Sequence, residues 1–213
     1  MPIVNNGIIN HSIMNIGIIG AGYMGVLLAR KLIEAGYAVQ LSGKSGPEAL
    51  ETVIQELGGE ASAVSVAEVT NNKVVILAVK WEQVENALAG LGSALKGKIV
   101  IDATNPITDD GTVIMEKGFN ASKTVAALIP GARIVKAFNT LKGARIEEGP
   151  FAGGGRRVVF LSGDDDGAKR MVEKIIGSMQ FAPVDLGDLQ MGGEAQQAGG
   201  PLAGLDLVLF PES

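Results

Sequence analysis

Three glycines, Gly20, Gly22 and Gly25, are spaced as Gly-x-Gly-x-x-Gly within Asn15-Ile16-Gly17-Ile18-Ile19-Gly20-Ala21-Gly22-Tyr23-Met24-Gly25. The apolar run before them reads as a buried strand, and the residues after them open a helix. That order suits a dinucleotide pyrophosphate: Gly20 permits the tight turn, Gly22 lets backbone approach the phosphates, and Gly25 lets helix and strand pack closely. The helix start adds free N–H groups and the positive end of its dipole. A glycine turn in an ordinary α/β protein is the competing reading, since the chain has 30 Gly.

The elements around the motif favour the dinucleotide. Val26 to Ala35 carries apolar residues at helical spacing and stops at Gly36. Tyr37 to Leu41 reads as a second strand, completing a βαβ unit. After it comes Ser42-Gly43-Lys44-Ser45-Gly46-Pro47, with no carboxylate between Glu34 and Glu48. An NAD site places an acid there for the ribose 2′-hydroxyl. Here Ser42, Lys44 and Ser45 offer two hydroxyls and a cation, which suit a 2′-phosphate and favour NADP(H). Lys44 is a point charge rather than a planar fork, so the preference is modest. A polar turn with no ligand uses the same residue types.

Further along, Lys73 to Val79 is the clearest buried strand, and a helix from Lys80 to about Leu95 follows it. Lys98 to Ala103 is the next strand and runs into Thr104-Asn105-Pro106. Ile134 to Thr140, Arg157 to Ser162 and Ala182 to Leu186 are further strands. Helices are expected over Pro47–Leu57, Ala121–Leu128 and Ala168–Met179, and Gly149 to Arg157 as a mobile loop. Asp164-Asp165-Asp166 reads as a helix cap rather than a metal site. The fold expected is α/β: a Rossmann-type doubly wound, mostly parallel sheet with helices on both faces and a short C-terminal extension. Residues 1–13 are expected as a flexible extension, 14–186 as the NAD(P)-binding domain, and 187–213 as a segment packing on it. Ligands of such sheets lie beyond the carboxyl ends of the strands. That assigns the backbone near Ala78 and Val79 to the cofactor, with Lys80 beside it, and Asn105 to the nicotinamide end. A plain turn is the alternative for Asn105-Pro106.

Composition narrows the chemistry. The formal charge of −5 leaves no basic footprint for nucleic acid. No apolar run is long enough for a membrane span. The chain has no cysteine, which excludes disulfides, thiolate metal sites and cysteine nucleophiles. Its one histidine, His11, lies in the N-terminal extension, so Ser-His-Asp chemistry and histidine metal sites are not expected. Lys136, Lys80 and Tyr23 are the candidate general acids among the strand-end segments, and none is assigned a catalytic role. No metal ligands are assigned.

The chain resembles the NADP oxidoreductase, coenzyme F420-dependent family, and the same module resembles the cytoplasmic reductase domain of the STEAP ferric reductases. The likeness runs from Met14 onward. It is carried by Gly20-Ala21-Gly22-Tyr23-Met24-Gly25, Ala78-Val79-Lys80-Trp81, Asp102-Ala103-Thr104-Asn105-Pro106, Val135-Lys136-Ala137-Phe138-Asn139-Thr140, Ser162-Gly163-Asp164-Asp165, Val184-Asp185-Leu186-Gly187 and Gly199-Gly200-Pro201-Leu202. The resemblance implies that Gly20, Gly22, Tyr23, Met24 and Gly25 line the pyrophosphate and that Ser42, Lys44 and Ser45 meet the 2′-phosphate. It also implies that Ala78, Val79 and Asn105 meet the remainder of NADP, while Phe138, Asn139 and Thr140 face the nicotinamide and a flavin-like acceptor. The chain departs from the family at Gly43-Lys44-Ser45, where Ser-Arg is usual, and at Lys80, where Pro is usual.

These readings converge on a cytoplasmic, NADPH-dependent oxidoreductase passing hydride to a deazaflavin (coenzyme F420) or a flavin. Hydride transfer between stacked rings needs positioning more than an acid or base. An imine or pyrroline-carboxylate reductase, and a non-catalytic NADP(H)-binding sensor or electron-transfer partner, are the alternatives. The expected partner is a small-molecule coenzyme, without nucleic acid or membrane, and a homodimer through the aliphatic C-terminal segment is allowed.

Overall fold

The computed structural model describes residues 14–211 apart from 115 and 117. The expected 1–13 extension, with His11, lies outside the described residues. The chain order is β1 (Asn15–Ile19), α1 (Tyr23–Glu34), β2 (Ala38–Ser42), α2 (Glu51–Leu57), β3 (Ala61–Ala63), α3 (Val66–Val69), β4 (Val74–Leu77), α4 (Val84–Leu88), α5 (Gly92–Leu95), β5 (Ile99–Asp102), α6 (Ala121–Leu128), β6 (Arg133–Ala137), α7 (Gly143–Glu148), β7 (Phe151–Ala152), β8 (Gly155–Gly163), α8 (Asp166–Ser178), β9 (Ala182–Asp185), α9 (Met191–Gln196) and β10 (Val208–Leu209).

The spatial order β3-β2-β1-β4-β5-β6 is parallel throughout. This is the doubly wound arrangement, with the direction of winding reversing between β1 and β4. Beyond β6 the sheet continues with antiparallel β8, to which β9 pairs in parallel and β7 and β10 antiparallel. All four residues of β4 and all four of β5 are buried, because helices cover both faces. Their side chains divide by strand alternation. Val74, Ile76, Ile99 and Ile101 enter the core beneath α1 and α8, while Val75, Leu77 and Val100 enter the opposite core with Val125 and Ile129 of the α6 side.

Two local expectations change. The helix expected from Lys80 to Leu95 is a 3₁₀ turn at Trp81–Gln83 followed by two short helices. The break falls at Gly90, whose φ of +76° no continuing helix contains. The expected mobile loop at Gly149–Arg157 is instead the β7–β8 hairpin. Ala152 faces Gly155, and the two intervening residues, Gly153 and Gly154, take φ of +55° and +89°. That is the geometry a two-residue hairpin turn requires.

The aspartate run does cap a helix. Asp165 accepts from the Ala168 N–H at 2.7 Å and from Arg133 Nε at 3.0 Å. Arg133 and the helix N–H together pull the Asp165 carboxyl down to about 2. No group of metal-binding side chains occurs among the described residues. Because the folded value lies below the ordinary carboxylate value, Asp165 contributes stability that is complete above about pH 4 and lost as pH falls toward 2. Thermal melts of Asp165→Asn should therefore fall below wild type at pH 6 and converge with it near pH 2. A gap independent of pH would contradict this.

Candidate cofactor-binding site

The carboxyl ends of β1, β4, β5 and β6 converge on one crevice, with the start of α1 at its floor. Gly20 turns with φ +115°, and a Cβ there would lie 2.4 Å from the Ala78 carbonyl oxygen, so the loops after β1 and β4 are in direct contact. A Cβ on Gly25 would lie 1.8 Å from the Gly20 carbonyl oxygen, which closes the first turn of α1 against the strand. Gly22 differs: a Cβ there would meet nothing within 4 Å. It is the N-cap of α1, extended at φ −80° and ψ −174°, without a side-chain cap or an acidic residue in the first turn. The helix thus directs its uncompensated N–H groups and positive dipole end into open space beside Gly22. That cradle fits a pyrophosphate.

Next to it, Gly43 to Gly46 forms a tight turn closed by the Gly46 N–H to Gly43 carbonyl bond of 3.2 Å. Lys44 and Ser45 are exposed at its tip. Ser42 does not join them. It is fully buried at the end of β2, and its hydroxyl donates to the Ile18 carbonyl at 3.1 Å. That hydroxyl is spent on β1 and does not reach the Lys44 turn, which corrects its assignment to the 2′-phosphate.

The nicotinamide end also departs from expectation. Phe138 lies just after β6 with φ +63°, and this reversal sends its ring into the core at 1% exposure. Thr140 is buried, and its carbonyl accepts from the Gly204 N–H at 3.0 Å. Phe138 packs in the core, and Thr140 is 3% exposed. Asn139, also buried, acts behind Asn105: its Nδ2 donates to Asn105 Oδ1 at 3.1 Å and to the Gln196 carbonyl at 2.7 Å. Asn105 Nδ2 donates to the Asn139 carbonyl at 2.7 Å, and Asn105 Oδ1 also accepts from the Ala198 N–H at 3.1 Å. Asn105 itself is half-buried at the crevice. Val79 is half-buried and Ala78 is buried under Gly20.

None of the three proton-donor candidates is poised to act. Lys136 is fully buried against Asp102, and Lys80 pairs with Asp109 at 2.8 Å. Desolvation and then the Glu147 carboxylate push the Tyr23 phenol above its ordinary value. The Tyr23 ring lies over Gly143 at the start of α7, where a Cβ would come within 2.3 Å of it. Met24 is half-buried and packs on the core.

Two open spaces border the crevice. A groove of about 610 Å³ starts at Ala21, Gly22 and Tyr23 and follows α1 past Val26 to Arg30. A cavity of about 470 Å³ lies under the C-terminal segment, between Phe119, Met191, Ala198, Gly200 and Pro201. Ala198 ties this cavity to Asn105, and Phe119 stands edge-on to Trp81 with ring centres 5.7 Å apart.

The sequence reading assigned no role to Asp102, Ser122 or Gln196. Asp102 carried the only readable signal, a carboxylate ending the otherwise apolar strand Ile99-Val100-Ile101. Ser122 and Gln196 reach the site through tertiary packing alone.

The metalloreductase STEAP3 of Rattus norvegicus is 29% identical over 169 residues, which cover 79% of this chain and 33% of that protein. The chain thus spans about a third of this relative's length. The solved structure of the hypothetical protein SMa0349 from Sinorhizobium meliloti is 38% identical, with a TM-score of 0.86 over 93% of this chain and 97% of that one. A candidate F420-dependent NADP-reductase from Arthrobacter sp. FB24 shares the fold, with a TM-score of 0.77, 24% identity, and coverage of 92% and 100%. Residues 15–106, which hold the glycine loop, the Lys44 turn, Ala78 and Asn105, match the family described as NADP oxidoreductase, coenzyme F420-dependent. Over that segment the chain is similar to this family of NADP oxidoreductases.

Proposed function

We propose that this protein transfers hydride between NADP(H) and a planar ring acceptor, a deazaflavin or a flavin. The observation that carries the reading is the open cradle at Gly22, set at the uncapped start of α1 with the Lys44 turn alongside. When bound, NADPH supplies the hydride. The chain's part is positional. The α1 N–H groups hold the pyrophosphate, Lys44 and Ser45 meet the 2′-phosphate, and Asn105 directs the nicotinamide end. The cavity behind Phe119 and Ala198 is the space for the acceptor ring. Phe119, Ile114 and Met191 offer the ring apolar surface, and Glu116, Glu194 and Gln197 line the same space with polar groups. The absence of a poised acid or base among the described crevice residues suits a reaction between two ring systems, where no oxyanion needs a proton.

The acceptor is tested by following oxidation of NADPH under anaerobic conditions with F420, FMN and FAD in turn. Turnover with one of them supports the reading. Tight NADPH binding without turnover with any would point instead to a non-catalytic NADP(H)-binding protein. Lys44→Ala should weaken NADPH binding by about tenfold, the worth of one charge-assisted contact, and leave NADH unchanged. Equal effects on both coenzymes would remove Lys44 from the 2′-phosphate site.

A further inference from the structure

Asp102, Lys136 and Ser162 stand side by side on β5, β6 and β8, because the register pairs Asp102 with Lys136 and Lys136 with Ser162. They share the sheet face covered by α6 and α9, where Ser122 meets Asp102 and Gly192 meets Ser162. All three are fully buried. Lys136 Nζ donates to Asp102 Oδ2 at 3.1 Å and to the Thr104 carbonyl at 3.1 Å. Asp102 Oδ2 also accepts from the Ser122 hydroxyl at 2.6 Å, and Asp102 Oδ1 accepts from the Thr104 N–H at 3.0 Å and the Thr104 hydroxyl at 2.6 Å.

The ion pair therefore grips Thr104 by its N–H, its hydroxyl and its carbonyl at once. Burying two charges is costly, and well-packed apolar residues often stabilise a fold as well or better. Stability alone is thus a poor account of this pair. Its bonds converge on the residue that precedes Asn105, the polar side chain at the carboxyl end of β5 in the crevice. A carboxamide nitrogen has two protons, and Asn105 gives one to the Asn139 carbonyl. The second is available to a ligand in the crevice if the Thr104–Asn105 peptide is held in one orientation.

Resting on the NADP(H) reading above, we propose that the buried Asp102–Lys136 pair is a positioning device for the nicotinamide half of the cofactor. It acts through Thr104 on Asn105 and touches no ligand itself. Lys136 and Asp102 are positioning residues, and the adenosine half of the cofactor does not depend on them.

The test is a paired titration of the full chain with NADPH and with 2′,5′-ADP, which has no nicotinamide half. The double variant Asp102→Asn plus Lys136→Met removes both charges together, so no buried ion is orphaned. It should bind 2′,5′-ADP as wild type does and NADPH about tenfold more weakly, with loss of any change in nicotinamide fluorescence that wild type shows on binding. A folded double variant with both affinities unchanged, or with both reduced equally, overturns the proposal. Thr104→Val removes only the hydroxyl contact to Asp102 and decides the matter if the double variant fails to fold. It should show the same split at about threefold, and no split overturns the proposal. Failure of wild type to bind either ligand would overturn the NADP(H) reading itself, and the positioning role with it.

Discussion

Gly22→Asp should lose at least about a hundredfold in NADPH affinity while folding as stably as wild type. The two effects separate because of what surrounds this glycine. Its backbone is extended, it occupies the N-cap of α1, and a side chain there meets nothing within 4 Å. Aspartate is a preferred N-cap residue, and replacing glycine with it gains a few tenths of a kcal/mol or costs nothing. The same carboxylate would take up the free N–H groups of the first turn and fill the cradle with negative charge. Juxtaposed like charges in a binding site cost several kcal/mol. Gly25→Ala is the contrasting variant, since its Cβ would lie 1.8 Å from the Gly20 carbonyl oxygen and must disturb the fold as well. Unchanged NADPH affinity in Gly22→Asp would mean that the cofactor does not lie where the glycine loop places it.

Asp102→Ala should be the most destabilising single change at the site, at about 3–5 kcal/mol. It leaves the Lys136 ammonium buried without its counter-ion, and it strips partners from the Ser122 hydroxyl and from the Thr104 N–H and hydroxyl. For a chain of this length the loss corresponds to a fall in Tm of roughly 10 °C. Burial alone would raise the Asp102 pKa, but Lys136, Ser122 and Thr104 outweigh it and hold the carboxyl below its ordinary value. A carboxyl lowered on folding contributes stability above the ordinary carboxylate range and loses it in acid. The gap between wild type and Asp102→Ala should therefore narrow as pH falls below about 4. Urea unfolding at pH 7 and pH 3.5 checks both statements. A loss under about 1 kcal/mol at pH 7 would show that the pair is not the buried charge pair described.

Local chemistry made the first half of the fold readable. Gly20, Gly22 and Gly25 mark a backbone that must turn, open and pack, and each constraint acts within a few residues. The apolar runs of β4 and β5 likewise announce strands buried on both faces. Readings failed where an outcome depended on which way a side chain points. Ser42 is polar and adjacent to the Lys44 turn, yet it is buried and its hydroxyl bonds to the Ile18 carbonyl of β1. Phe138 follows a strand at the crevice, yet a positive φ sends its ring into the core. The hairpin at Gly153-Gly154 carried a readable turn signal beneath its glycine richness. The Asp102–Lys136 pair depends on the register between β5 and β6, and the Asn105–Ala198 bond on a segment about ninety residues away. Neither follows from spacing along the chain.

The most direct test of the central claim is calorimetric titration of the purified wild-type chain with NADPH and with NADH under identical conditions. The account predicts one NADPH site per chain and NADH binding about tenfold weaker, set by the Lys44 turn. No measurable binding of either coenzyme, or equal affinity for both, would contradict it.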